Sequence, residues 1–269
     1  NLNHGFKHHS SLFYLYSMFY LPFVKFYLFN IINFFFLLFS IIFFIGNIIN
    51  DLKKSNFTKL TLIKVLISIL FIAIFNRVGA YGTDITGQLL AGVLLYLIYE
   101  LVIKKNIRLI DLFLIFTLLI YLITIKTYFI LYALFLINLI FLSIGKVKLI
   151  NDVILSRLFF FLIFVGLMFA IINISSTGCI VYPIEILCFP NVFEWGLDLK
   201  TINYMSGWYE IWSKAGAGPD FRETDPQKYI EGINWLGNWI DRYFFTKVSD
   251  FLLSLCAGFL IFLFIFKKQ

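Results

Sequence analysis

Three charged residues stand out as possible chemistry in an otherwise apolar chain. Asp84 and Arg77 share the short segment NRVGAYGTDITGQ, residues 76–88, in which Gly79 and Gly82 loosen the backbone. A carboxylate at the mouth of two helices can act as a general base or steer an acceptor hydroxyl. A guanidinium beside it can hold a phosphate by forked hydrogen bonds. Asp84 also fits the cap of a helix starting near Ile85, since Asp is among the favoured N-cap residues, and the two roles can coexist. Lys126 is the third charge, set between two apolar runs. Such a cation is costly unless it reaches an interface or pairs with an anion. A lipid phosphate is one partner; snorkelling to the headgroups is the other outcome.

A second group lies in the one long polar stretch, residues 175–246. Cys179 and Cys188 are nine residues apart there. Outside the cytoplasm a disulfide is permitted, and closing so short a loop contributes about 2–3 kcal/mol by restricting the unfolded chain. Two small buried thiols are the alternative. The loop offers no second cysteine or histidine pair for zinc, and Cys256 reads as a packing residue. Further on, YIEGINWLGNWIDRYF places Tyr229, Ile233, Leu236, Ile240 and Phe244 on one helical face, with Trp235 and Trp239 flanking it. That spacing predicts an in-plane interfacial helix with aromatic anchors; a sugar-stacking platform is the sharper reading of the two tryptophans. WSKAGAGPDFRETDP reads as a flexible glycine-rich segment, a mobile loop or a turn, without the phosphate-cradling pattern. His4, His8 and His9 have no carboxylate or cysteine partner, so no metal site is expected.

The elements that must position these residues are membrane helices. The chain has 269 residues, 61% apolar and only 14% charged, against about 25% charged in soluble domains. Seven segments approach the roughly 20 residues that cross a bilayer core: 27–49, 60–76, 86–103, 109–125, 127–144, 158–174 and 248–266. An eighth, 10–23, is short and stopped by Pro22. The segments 109–125 and 127–144 meet at Lys126 with almost no loop, which predicts a tight hairpin or a broken helix.

Sidedness follows from basic residues. Alternate connections hold Lys53, Lys54, Lys59; Lys104, Lys105, Arg108; Lys146, Lys148, Arg157; and Lys267, Lys268, while the opposite short connections hold only Arg77 and Lys126. Lysine and arginine mark the cytoplasmic side, so residues 175–246 are expected to be exoplasmic. That segment has nine acidic and five basic residues. The net charge of +7 therefore sits in the inner loops, against anionic lipid, and argues for no nucleic acid. The chain begins with Asn and without a charged leader, so its natural N-terminus is expected upstream.

Several blocks in order carry a resemblance: NLNHGFKHHSSLFYLYSMFYLPF, YGTDITGQLL, ITIK before an apolar run, STGCIVYPIEILCF, and WYEIWSKAGAG. Together they resemble a large family of bacterial multi-pass membrane proteins associated with cell-surface polysaccharide synthesis. Those proteins in turn look like lipid-phosphosugar-dependent glycosyltransferases of the C-type fold. The resemblance implies sugar transfer from a polyprenyl-phosphate donor on the outer face of the inner, cytoplasmic membrane, to an acceptor glycan or glycolipid, without a cofactor. It places the catalytic aspartate in an outer loop before residue 1. Asp84 matches the Tyr-Gly-Thr-Asp block and Lys126 the Thr-Ile-Lys block, which makes both auxiliary site residues.

The expected protein is thus all-α: a polytopic transmembrane bundle over 1–174, an exoplasmic segment with an interfacial helix over 175–246, and a final span with a basic tail over 247–269. The donor phosphate would sit against Arg77 and Lys126, and Trp235 or Trp239 would present the acceptor. A polysaccharide polymerase, a glycolipid transporter and a non-catalytic scaffold are the alternatives. A transporter would be expected to need polar residues lining a path, whereas Lys64, Glu100 and Asp111 all fall near span ends.

Overall fold

The computed structural model describes residues 9–54, 58–75, 83–104, 107–137, 147–218 and 222–249, with single positions 139, 252, 253, 256 and 260. The secondary structure over these residues is helical, with three isolated β-bridges. The chain divides into two compact units, His9–Phe169 and Ala170–Gln269 with Asn1–His8.

The first unit is a helix bundle. It begins with α1 (Ser11–Met18), capped by the Ser10 hydroxyl accepting from the Leu12 N–H. Eight residues rise only about 12 Å, too little to cross a bilayer; α1 is docked with Leu12 and Tyr16 buried, and a turn with a Leu21–Lys25 bridge follows it. Then come α2 (Phe29–Lys53), α3 (Lys59–Ile74), α4 (Asp84–Lys104) and α5 (Leu109–Ile125). Of these, α2 and α4 are long and apolar enough to cross a membrane, as is α7 (Arg157–Thr177) beyond the short α6 (Val147–Ile154); α5 is apolar but has 17 residues. Large apolar side chains such as Phe39, Phe161 and Phe164 are exposed along α2 and α7. A surface of that kind needs lipid around it. The protein is a membrane-embedded α-helical protein. The expected span 248–266 lies largely outside the described residues.

Local chemistry explains the hairpins. Thr58 caps α3 through a reciprocal box with Thr61. The Thr61 hydroxyl donates to Asp51 on α2 at 2.7 Å, and the Lys64 ammonium donates to the same carboxylate oxygen at 2.8 Å. Lys64 is buried, and this partner offsets the cost of holding an ammonium out of water. Between α4 and α5, Arg108 donates to both oxygens of Asp111 at 3.0 and 2.8 Å. The forked pair, with the Arg108 N–H also on Asp111, caps the start of α5. Helix α4 is the centre of this unit, with buried residues around its circumference, Leu89, Leu94 and Tyr96 among them.

Helix α5 stops at Ile125, and Lys126 is extended at φ −151° and ψ 130°. A 3₁₀ helix follows over Thr127–Phe135. Phe129 packs on Gly87 near the start of α4, and Phe135 lines a crevice with Ile98 and Tyr99 further along it, so the chain turns back at Lys126. Of the two expected forms the tight hairpin is the one adopted, with a 3₁₀ helix opening its second arm; 138 and 140–146 lie outside the described residues. The run Ile123-Thr124-Ile125-Lys126-Thr127 accounts for the break. Four of its five residues are β-branched, which lowers helix preference, and the Thr124 hydroxyl donates to the Tyr121 carbonyl.

In the second unit, Cys179 and Cys188 form a disulfide. With Tyr182 they pack on Ile202 and Met205 of α8 (Leu199–Ser213). Of the two forms expected for the glycine-rich segment, the turn is the one adopted over its described residues up to Gly218. Ala215 and Ala217 are buried, and a side chain on Gly216 would strike Tyr229 and Ile211. The Tyr229 hydroxyl donates to the Lys214 carbonyl at 2.7 Å. The expected helix over 229–244 is also not continuous. It is divided into α9 (Pro226–Ile230), α10 (Leu236–Trp239) and a π-helix over Ile240–Val248. Gly232, at φ +57°, turns the chain between the first two, so the apolar periodicity is not expressed as one face.

Candidate functional site

The outermost turn of α4 begins with Thr83, whose carbonyl accepts from the Gly87 N–H at 3.2 Å. The cap position therefore falls on Thr83, one residue earlier than expected, and Asp84 is the first helical residue. Its carboxylate is turned to another use. It forms an ion pair with the Lys126 ammonium, 42 residues along the chain. The helix break places Lys126 there. Its N–H closes α5 on the Leu122 carbonyl at 3.0 Å, and its own carbonyl accepts from the Phe129 N–H at 3.1 Å. The backbone is thus satisfied on both sides of the break, and the side chain stands off the end of the hairpin.

Aromatic packing fixes this arrangement. Phe129 is buried against Gly87, where any Cβ would overlap its ring. Tyr128 packs on Phe129 with ring centroids 4.4 Å apart. A buried polar layer lies one turn below the pair. The Asn33 side-chain oxygen accepts from the Tyr16 hydroxyl at 2.5 Å and from the Thr86 hydroxyl at 2.7 Å. Asn33 and Thr86 are wholly buried. The Thr124 hydroxyl adds a 2.9 Å bond to Ser11. Side-chain bonds thus join α1 to α2 and α5, and α2 to α4, beneath an exposed ion pair.

The side chains of Asp84 and Lys126 remain 52% and 38% exposed. The pair therefore has the access a ligand needs, and the salt bridge itself adds little stability. Two cavities lie away from it. One, of about 280 Å³, is lined by Glu100, Lys104, Arg108 and Asp111 at the opposite end of α4; the other, about 400 Å³, is an apolar crevice by Tyr96 and Tyr99. Among the described residues no three His, Cys, Asp or Glu side chains come together around a point that would hold a metal.

Of the expected site residues, Asp84 and Lys126 are brought together. Arg77, like His4 and His8, lies outside the described residues. Trp235 and Trp239 belong to the second unit. Trp235 is half-buried against Tyr229 and Ile211, its indole N–H donates to the Gly232 carbonyl at 3.1 Å, and the Lys214 ammonium stands 5.7 Å over its ring. Two features were missed. Asn33 within NIINFFF is a polar residue inside a span and so demands a hydrogen-bond partner; that signal was available. The stacking of Arg222 on Trp208 at 4.5 Å had no signal in the spacing. In the same unit, burial and then the neighbouring Tyr209 push the Tyr182 phenol up to about 12.

One family model matches residues 1–269, the whole of the chain; its description is a domain of unknown function, DUF8201. The chain belongs to that family. No curated protein and no solved structure matches it significantly.

Proposed function

We propose that this member of the family is a glycosyltransferase-like enzyme of bacterial envelope polysaccharide assembly, taking sugar from a polyprenyl-phosphate donor. The observation that carries the reading is the exposed Asp84–Lys126 pair, seated at the first turn of an apolar, membrane-length helix. A lipid-linked phosphosugar keeps its phosphate at the headgroup boundary and its tail in the bilayer. The ammonium of Lys126 is a ready phosphate partner at that height. Asp84 holds the ammonium in place until the phosphate arrives, and then steers the acceptor hydroxyl.

Orientation supports the same reading. Helix α4 rises about 30 Å over its length, so Asp84 and Lys104 stand at opposite ends. Lys104 and Arg108 stand at the end away from the pair, each beside an acid, Glu100 and Asp111; it is the lysines and arginines that count for sidedness. With that end cytoplasmic, the pair is exoplasmic, in the inner membrane; for residues 175–246 the same side rests on the alternation of basic residues along the sequence.

Charge-neutralising substitutions test the proposal in cells. Asp84→Asn and Lys126→Gln should each abolish surface glycan while lipid-linked precursor accumulates. A scaffold would tolerate both, and a transporter would instead trap finished glycolipid at the inner leaflet; either result removes the transferase reading.

A further inference from the structure

The disulfide loop carries a surface for which neither the loop nor its neighbours provide cover. Its inward side, Cys179, Tyr182 and Cys188, is buried against α8. Its outward side exposes Ile186 by 91%, Val192 by 67% and Trp195 by 58%, with Ile184 and Phe189 also exposed. The shape is fixed, so local collapse cannot hide them. The disulfide closes the loop, and the Ile180 N–H donates to the Leu187 carbonyl at 2.8 Å. Leu187 and Cys188 donate in turn to Ile184 and Glu185 at 2.9 and 3.0 Å. Trp195 is held by stacking on Phe193, ring centroids 5.0 Å apart.

Position identifies what covers this rim. Helix α7 has 21 residues, a rise of about 30 Å, which matches the hydrocarbon core and leaves its last turn at the boundary. The loop is bonded to that turn. Phe189 donates to the Gly178 carbonyl at 2.9 Å, Leu197 to Thr177 at 3.1 Å, and the Trp195 indole lies 3.5 Å from the Ile174 carbonyl. Ile186 is three residues from Phe189, so chain reach keeps it within about 15 Å of the end of α7. Ile171 is exposed two turns before the end of α7, and the last turn, Ile174 to Thr177, is polar with Ser175 and Ser176 exposed; the change from apolar to polar marks the boundary beside which the rim lies.

We propose that the segment 184–195 dips into the headgroup layer beside α7, with Ile186, Val192 and Trp195 as its anchors. Tryptophan favours that layer. Glu185 and Glu194 are exposed within the rim, and no Lys or Arg occurs between Gly178 and Leu199. Apolar contact must therefore hold the segment, in a neutral or zwitterionic interface, and anionic lipid will not strengthen it. The inference is independent of the transferase reading.

The full chain in zwitterionic nanodiscs, one copy per disc, provides the test. An environment-sensitive fluorophore is attached to Ile186→Cys or Val192→Cys in a Cys256→Ser background, with a thiol count verifying that Cys179–Cys188 is intact. Emission should shift to the blue and fall at least about twofold with lipids carrying a headgroup-proximal nitroxide, while aqueous iodide quenches several-fold less than for the free dye–thiol conjugate. Without any label, the difference between wild type and Trp195→Phe should show Trp195 emission quenched by brominated lipid. Full iodide access at both positions would overturn the proposal. So would protection from both quenchers, which would mean a protein partner or a second copy on the rim.

Discussion

Replacing Lys126 by Ala separates the two things the Asp84–Lys126 pair can be, a strut or a site. Both side chains are about half exposed, and exposed pairs contribute about 0.2–1 kcal/mol. The substitution should therefore cost about 0.5 kcal/mol of stability. Asp84 is not stranded by it, because the carboxylate remains in the first turn of α4, where the helix dipole favours it by about 0.3–1 kcal/mol. The converse change is less benign. Asp84→Asn loses both the pair and the dipole contact and leaves Lys126 facing the positive end of α4, for about 1 kcal/mol in all.

Ligand binding moves on a different scale. A charge-assisted hydrogen bond to a phosphate contributes about 1.5–3 kcal/mol, so Lys126→Ala should raise the Kd for polyprenyl phosphate about 10- to 100-fold. Asp84→Asn should leave that Kd unchanged or tighten it, since the carboxylate competes with phosphate for the same ammonium, yet transfer should be lost. A double-mutant cycle in nanodiscs reads both quantities, from thermal unfolding and from titration with the lipid. A coupling energy above about 2 kcal/mol with unaltered lipid affinity would refute the reasoning and make the pair a strut.

Gly87→Ala should lower stability by about 1–3 kcal/mol, because the new Cβ overlaps the Phe129 ring in a packed site; a raised Tm would show that the ring moves freely. Asn33→Leu removes one hydrogen bond each from Tyr16 and Thr86 and should cost about 0.5–1.5 kcal/mol for each bond lost. Most of the Tyr16 share should return in the Asn33→Leu/Tyr16→Phe double variant, measured by the same unfolding assay. Burial raises the Tyr182 phenol from 10.0 to about 12, so its neutral form is favoured in the fold. That contribution is full below pH 10 and lost as pH rises through 12, and Tyr182→Phe should flatten that part of the stability-versus-pH curve.

The long apolar runs were legible because the lipid-facing sides of α2 and α7 require apolar residues along their length, and composition reports that directly. Breaks were less legible. The periodicity over 229–244 predicted one helix, but Gly232 at positive φ turns the chain after α9. The junction at Lys126 was legible, because two apolar runs meet there; that the second run opens as a 3₁₀ helix over Thr127–Phe135 was not. Apolar content says that a segment tolerates lipid; it does not say which hydrogen-bond pattern satisfies its backbone. The cysteine pairing was one of two readings from spacing and sidedness, and the disulfide is the one adopted. The buried Asn33 layer went unread although an Asn beside a run of phenylalanines was its signal.

Asp84 and Lys126 were each singled out for type, one as a rim carboxylate and one as an isolated cation, but not as partners. Their meeting depends on register. Each lies about twenty residues from the turn between α4 and α5, so an antiparallel hairpin of two straight helices brings them level. The requirement is stricter than equal length, because a helix continuing through Lys126 would carry its side chain around the cylinder and past the end of α4. The extended residue at 126 stops that rotation. The β-branched run is thus what makes a pair out of two charges, and replacing its residues by strong helix formers should undo the pair without touching either charge.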